Sequence, residues 1–158
     1  RKYRSAEDYA RADTAELERD VRPTGFYRSK AAKLKACCGQ LMREHGGGVP
    51  GTMEELTKLA GVGRKTANIV LGCAFGVPGI AVDTHVSRVS RRLGITSNSA
   101  PDKIEADLMK LAPVERWTKF SLQLVEHGRE VCGARKPECG RCGLTASCDY
   151  YEKLSAAP

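Results

Sequence analysis

A lysine set just after a glycine turn, and four cysteines crowded into 17 residues, are the parts of this sequence with the clearest chemical potential. Lys65 follows Gly61-Val62-Gly63-Arg64. In the first turn of a helix the macrodipole disfavours a cation, and Arg64 next door acts the same way. Both effects favour the neutral amine that a nucleophilic lysine needs. Such an amine can attack C1′ of a deoxyribose carrying a damaged base. It displaces the base and leaves a Schiff base. Loss of the C2′ proton then gives β-elimination and strand cleavage. The plainer role for Lys65 is a phosphate contact. The lyase chemistry also needs a carboxylate to stabilise the cationic sugar and to accept the proton of the amine. Asp83, ahead of Thr84-His85-Val86, is the candidate. Read from residue type alone, it is better explained as a helix N-cap.

The four clustered cysteines are Cys132, Cys139, Cys142 and Cys148, with six, two and five residues between them. Four thiolates so close suit a tetrahedral zinc or an iron–sulfur cluster. Generic four-cysteine spacing favours zinc, yet only the central pair has the two-residue separation typical of a zinc site. The remaining cysteines, Cys37, Cys38 and Cys73, sit in apolar helical stretches and read as packing residues. An odd total of seven with one tight group argues against a disulfide framework and for metal binding in a reducing compartment. Arg135, Lys136 and Arg141 lie between the ligands, either as solvated charge or as phosphate contacts from a metal-stiffened loop.

The lysine belongs to Leu59-Ala60-Gly61-Val62-Gly63-Arg64-Lys65-Thr66-Ala67, a tight Gly-x-Gly turn between two helical patterns. Glycine permits positive φ and close backbone approach. The amides of Gly61 and Gly63, with the helix start at Arg64 and Thr66, can therefore converge on one anion. Phosphate is the natural ligand, and such contacts position a protein on DNA without reading sequence. A plain helical corner would use glycine in the same way; the complete hairpin favours the phosphate grip.

Helical periodicity runs through the rest of the chain, and strand-like alternation is nearly absent. Short helices are expected after Ser5 and after Asp13 or Thr14. A long one spans Tyr27 to His45, with Leu34, Cys37, Cys38, Leu41 and Met42 inward, and stops at Gly46-Gly47-Gly48. Thr52 and Glu55 form a capping box for a helix through Leu59. The helix after the hairpin runs from Arg64 to about Phe75. Asp83 opens the next, with Val86, Val89 and Leu93 inward. Pro101 opens another, carrying Ile104, Leu108 and Leu111. Pro113 opens the last, which reaches about Gly128 with Trp117, Phe120 and Leu124. After Cys132 the pattern is short and irregular. The expected fold is all-α with a metal-held tail.

Lys and Arg number 26 against 19 Asp and Glu, a net charge of +7, which favours a polyanionic partner. No run of 18 apolar residues is present, so no membrane span is expected. No secretory signal is visible. The chain opens on Arg1 rather than Met, as a fragment would.

The hairpin segment Leu59 to Asn68, followed by Ala81-Val82-Asp83-Thr84-His85-Val86, resembles endonuclease III. That family comprises the bifunctional DNA glycosylases and abasic-site lyases of the helix-hairpin-helix superfamily. The match extends through Gly25-Phe26-Tyr27-Arg28-Ser29-Lys30-Ala31, His127-Gly128-Arg129 and the cysteine group, and so covers essentially the whole chain. The resemblance implies that Lys65 is the nucleophile and Asp83 the catalytic carboxylate. It implies a [4Fe-4S] cluster on Cys132, Cys139, Cys142 and Cys148. Lys65 also separates the chain from the superfamily's adenine-specific glycosylases, which lack it.

By the same resemblance, residues 1–78 form part of a six-helix barrel lobe ending in the helix-hairpin-helix at 53–75. Residues 79–158 form an iron–sulfur lobe with its cluster loop at 132–148. DNA carrying oxidised pyrimidines or abasic sites would lie across the cleft, with the target nucleotide flipped out. An intracellular monomer, cytoplasmic or nucleoid-associated, is expected. The alternatives are a monofunctional or different-lesion glycosylase and a non-catalytic DNA-binding module. Two departures stand out. Ala60 replaces the proline usual in the family's hairpin. The family also carries further chain before the counterpart of Arg1, supplying barrel helices and a glutamine-bearing loop.

Overall fold

The computed structural model describes residues 2–156 and, among them, contains helices and no strand. The chain divides into two compact units, Arg1–Ala67 and Asn68–Pro158.

In the first unit, α1 (Ala6–Arg11) and α2 (Thr14–Val21) both pack on α3 (Tyr27–His45). Each short helix starts at a side-chain cap. Ser5 Oγ accepts the Asp8 N–H, while the Asp8 carboxylate accepts the Ser5 N–H at 3.0 Å. Asp13 accepts the Glu16 N–H at 2.9 Å. Such caps satisfy amides that a helix start leaves orphaned. The small core is Ala12, Leu17 and Ala31, with Tyr3, Tyr9, Val21 and Leu34 against it. Gly46 ends α3 in the left-handed conformation.

Thr52 then opens α4 (Met53–Lys58) by accepting the Glu55 N–H. The reciprocal arm of this box differs from the expected one: Thr52 donates its hydroxyl to the Glu55 carboxylate at 2.7 Å. α5 (Arg64–Ala74) starts in the first unit and continues into the second.

The second unit is built on α6 (Thr84–Arg92), which packs against α7 (Pro101–Met109), α8 (Trp117–Glu130) and α9 (Asp149–Ser155). Its core is Ile80, Val82, Val86, Val89, Ile104, Leu108 and Leu124. Burying a side chain of this size contributes roughly 1.5–3 kcal/mol. Helices α6 and α8 come very close at Gly128. A Cβ there would lie 2.9 Å from that of His85 and 3.1 Å from Val89 Cγ2, so only glycine allows the approach. Buried Asn68 ties α5 to the following loop, donating from Nδ2 to the Ile80 carbonyl at 2.9 Å and to Glu105 at 3.3 Å.

Several local expectations change, and Cys73, read from sequence as a packing residue, is exposed. Met42 is 36% exposed and Leu111 is 59% exposed, so neither faces a core. Leu111 lies beyond the end of α7, which stops at Met109. Pro113 leads into a single 3-10 turn, Val114–Arg116, before α8 begins. The tail also holds a helix that periodicity misses: α9 has no buried residue, so it shows no apolar stripe.

Candidate active site and cysteine cavity

The hairpin between α4 and α5 is a tight turn. Val62 N–H bonds the Leu59 carbonyl at 3.0 Å, and Gly61 has φ +78, a conformation costly for any side chain. The Lys33 stem packs over Gly61, so that a Cβ there would meet Lys33 Cβ at 3.0 Å. The first intrahelical bond of α5 runs from Ala67 N–H to the Gly63 carbonyl at 3.0 Å. The amides ahead of it are directed out of the helix start, where the dipole favours an anion. Gly61, Gly63, Arg64, Lys65 and Thr66 are all exposed. Gly61, Gly63, Arg64 and Thr66, the phosphate residues predicted for the hairpin, thus lie with Lys65 on one accessible turn.

Gln40 of α3 holds this turn from behind, and sequence reasoning passed over it. Its Oε1 accepts the Ala60 N–H at 2.6 Å, and its Nε2 donates to the Lys58 carbonyl at 3.3 Å.

Asp83 belongs to the second unit and caps α6. Its Oδ1 accepts the His85 and Val86 N–H groups, both at 2.8 Å. This fixes the carboxylate at the helix N-terminus, where negative charge is favoured.

Cys132, Cys139, Cys142 and Cys148 line one cavity, walled by Val89, Leu93, Val131, Pro137, Tyr150 and Tyr151. Two 3-10 turns, Cys139–Arg141 and Thr145–Ser147, carry the loop around it. Among the described residues, no three His, Cys, Asp or Glu side chains converge on a position for a single metal ion. His127 Nε2 lies 3.8 Å from Cys142 Sγ.

Two arginines of α6, one helical turn apart, bind the start of this loop. Arg88 donates to the Cys132 carbonyl at 3.1 Å and to the Gly128 carbonyl at 2.7 Å. Arg92 donates to Cys132 Sγ at 3.2 Å and to the Gly133 and Ala134 carbonyls, both at 2.8 Å. Its guanidinium also lies 4.4 Å from the centre of the Tyr150 ring. Neither arginine was singled out from sequence; their partners lie 40 to 44 residues away, beyond any local pattern. Of the three cations predicted on the loop, Arg135 and Lys136 are exposed. Arg141 is also exposed but bonds to Glu138 and to the Glu130 carbonyl.

Residues 1–114 match the family model of the HhH-GPD superfamily base excision DNA repair proteins. Endonuclease III of Synechocystis is 49% identical over 93% of this chain and 68% of its own length. The chain belongs to the endonuclease III family. A solved non-covalent endonuclease III–DNA complex shares the fold with TM-score 0.93 and 43% identity, over 99% of this chain and 73% of that one. A trapped endonuclease III–DNA covalent intermediate, an estranged-adenine complex, matches with TM-score 0.92 and 44% identity, over 98% and 73%. The helix-hairpin-helix glycosylase architecture of the endonuclease III family is therefore the fold of this chain. No described helix is long and apolar enough to cross a membrane.

Proposed function

We propose that this chain is a base-excision DNA glycosylase with abasic-site lyase activity, using Lys65 as nucleophile and Asp83 as its carboxylate. The observation that carries the reading is the exposed start of α5, where Lys65 lies two residues after the Gly61–Gly63 turn, whose Gly61 has positive φ. Likeness to a trapped endonuclease III–DNA covalent intermediate supports a covalent route. DNA phosphate would sit on the amides of Gly61 and Gly63 and the first turn of α5, with Arg64 and Thr66 alongside. Arg135, Lys136 and Arg141 would extend the electrostatic contact.

The proposed chemistry begins with the Lys65 amine attacking C1′ while the N-glycosidic bond breaks. The base leaves and takes up a proton. Asp83 offsets the positive charge on the sugar and accepts the proton lost from the amine. The C1′–O4′ bond of the sugar ring then opens, O4′ taking up a proton, and the imine that results acidifies C2′. Loss of that proton expels the 3′ phosphate by β-elimination. Water then releases the lysine. Oxidised pyrimidines are the expected bases, and such a DNA substrate carries an intracellular, nucleoid-associated location.

A [4Fe-4S] cluster on Cys132, Cys139, Cys142 and Cys148 fits the residues. Four cysteine thiols lining one largely apolar cavity are the donor set that such a cluster takes. When bound, the cluster supplies four iron–thiolate bonds that stiffen the loop. The excision chemistry transfers no net electrons, so the chain's own residues carry every step. In domain terms, residues 1–78 with the hairpin at 53–75 would serve as the barrel part, and residues 79–158 as the cluster lobe.

Borohydride reduction on abasic-site duplex tests the lyase. The wild-type chain should give a covalent protein–DNA adduct, and Lys65→Ala should give none. DNA binding without an adduct in the wild type would instead indicate a non-catalytic DNA-binding module.

A further inference from the structure

We infer that Gln40 is a positioning residue for the phosphate-gripping hairpin, and that it does through a side-chain clasp what a ring-constrained residue at position 60 would do covalently. The inference rests on the phosphate-grip reading above.

Ala60 enters the turn, and its N–H is bound by Gln40 Oε1 at 2.6 Å. The other end of the same amide donates to the Lys58 carbonyl at 3.3 Å. One side chain from α3 thus satisfies a donor and an acceptor flanking Leu59, the residue where α4 ends. Helix α4 has only six residues and cannot hold the turn by its own propensity. The hydrogen bonds and the Lys33 stem over Gly61 together dock the turn on α3.

The donor at position 60 exists only because the residue is not proline. Leu59 has φ −73 and ψ 141, the conformation that a residue preceding proline prefers. Proline could therefore follow it without distorting Leu59, and would fix φ of the turn. It would also remove the N–H and leave Gln40 Oε1 without its donor. The Ala60 N–H to Gln40 Oε1 bond and a proline ring at position 60 therefore exclude each other. A stiff turn matters because loose amides must be ordered when phosphate binds, which weakens affinity.

The test uses the full chain and four proteins: wild type, Gln40→Leu, Ala60→Pro, and the double variant. Affinity is read by anisotropy on a duplex carrying a tetrahydrofuran abasic analogue, and hairpin mobility by amide hydrogen exchange over 59–66. Gln40→Leu should weaken binding by about three- to tenfold and speed hairpin exchange by a similar factor. Ala60→Pro should not improve binding when Gln40 is retained. Added to Gln40→Leu, it should recover affinity to within about twofold of wild type, a coupling that independent sites would not show. Unchanged hairpin exchange in Gln40→Leu, or additive effects in the double variant, overturns the clasp. A wild-type chain that fails to bind the duplex overturns the phosphate-grip reading instead, while exchange in Gln40→Leu still decides the clasp.

Discussion

Arg92 Nη1 donates to Cys132 Sγ at 3.2 Å, and the Arg92 carbonyl accepts from the Cys148 thiol at 3.4 Å. The first and last cysteines of the loop therefore meet on one residue at the end of α6, the helix that Asp83 caps at its other end. A planar guanidinium can serve the sulfur and two carbonyls at once because its donors are fixed in one fork. This is how the sequence brings a loop of short 3-10 turns to a defined place.

Arg92→Ala removes three donated hydrogen bonds and the stack on Tyr150. The expected cost is about 2 kcal/mol, because the donor is charged and the acceptors are left without it. Arg92→Lys should restore only part, since one ammonium cannot span the same acceptors. Denaturant unfolding measures the loss. In protein reconstituted with iron and sulfide, release of iron to a chelator should be faster in Arg92→Ala than in wild type. Equal stability and equal release would show that the fork contributes nothing.

Asp83→Asn separates capping from catalysis. Asparagine accepts helix-start N–H groups about as well as aspartate, so stability should stay within about 0.5 kcal/mol. The carboxylate charge is lost, so excision and lyase rates should fall by about 100-fold or more. Asp83→Ala should show the same rate loss and about 1 kcal/mol of destabilisation. Single-turnover kinetics beside thermal unfolding provide both readings. Wild-type rates in Asp83→Asn would reduce this aspartate to a cap.

Asp107 gives a pH signature. Hydrogen bonds from Thr96 Oγ1 and Asn98 Nδ2, both 2.7 Å, and from Lys110 at 3.1 Å favour its charged form. They bring its carboxyl from the ordinary 3.8 down to about 2. The folded value lies below the unfolded one, so the stabilisation is complete above the unfolded value and fades as pH falls toward the folded one. Wild type should exceed Asp107→Asn in melting temperature near neutrality. The gap should close between about pH 4 and pH 2. Parallel thermal scans across that range check it, and a gap independent of pH would remove the charge from the explanation.

The sequence alone determined the elements whose cause is local. Ser5, Asp13, Thr52 and Asp83 announce helix starts because each cap bonds an amide two or three residues ahead. Tyr27–His45 is legible from apolar spacing and its glycine stop. The hairpin is legible because Gly61 must take positive φ. The motif around Lys65, Asp83 and the cysteines carried the family likeness by residue type and spacing. Tertiary structure decided what acts at a distance. Gln40 reaches a partner 20 residues on, and Arg88 and Arg92 reach partners 40 or more residues on, so no local periodicity reveals them. It also decided which apolar residues stay outside: Met42 and Leu111 fit a helical stripe on paper, yet both are exposed among the described residues. A stripe records what a face could bury, and only packing shows whether something arrives to bury it.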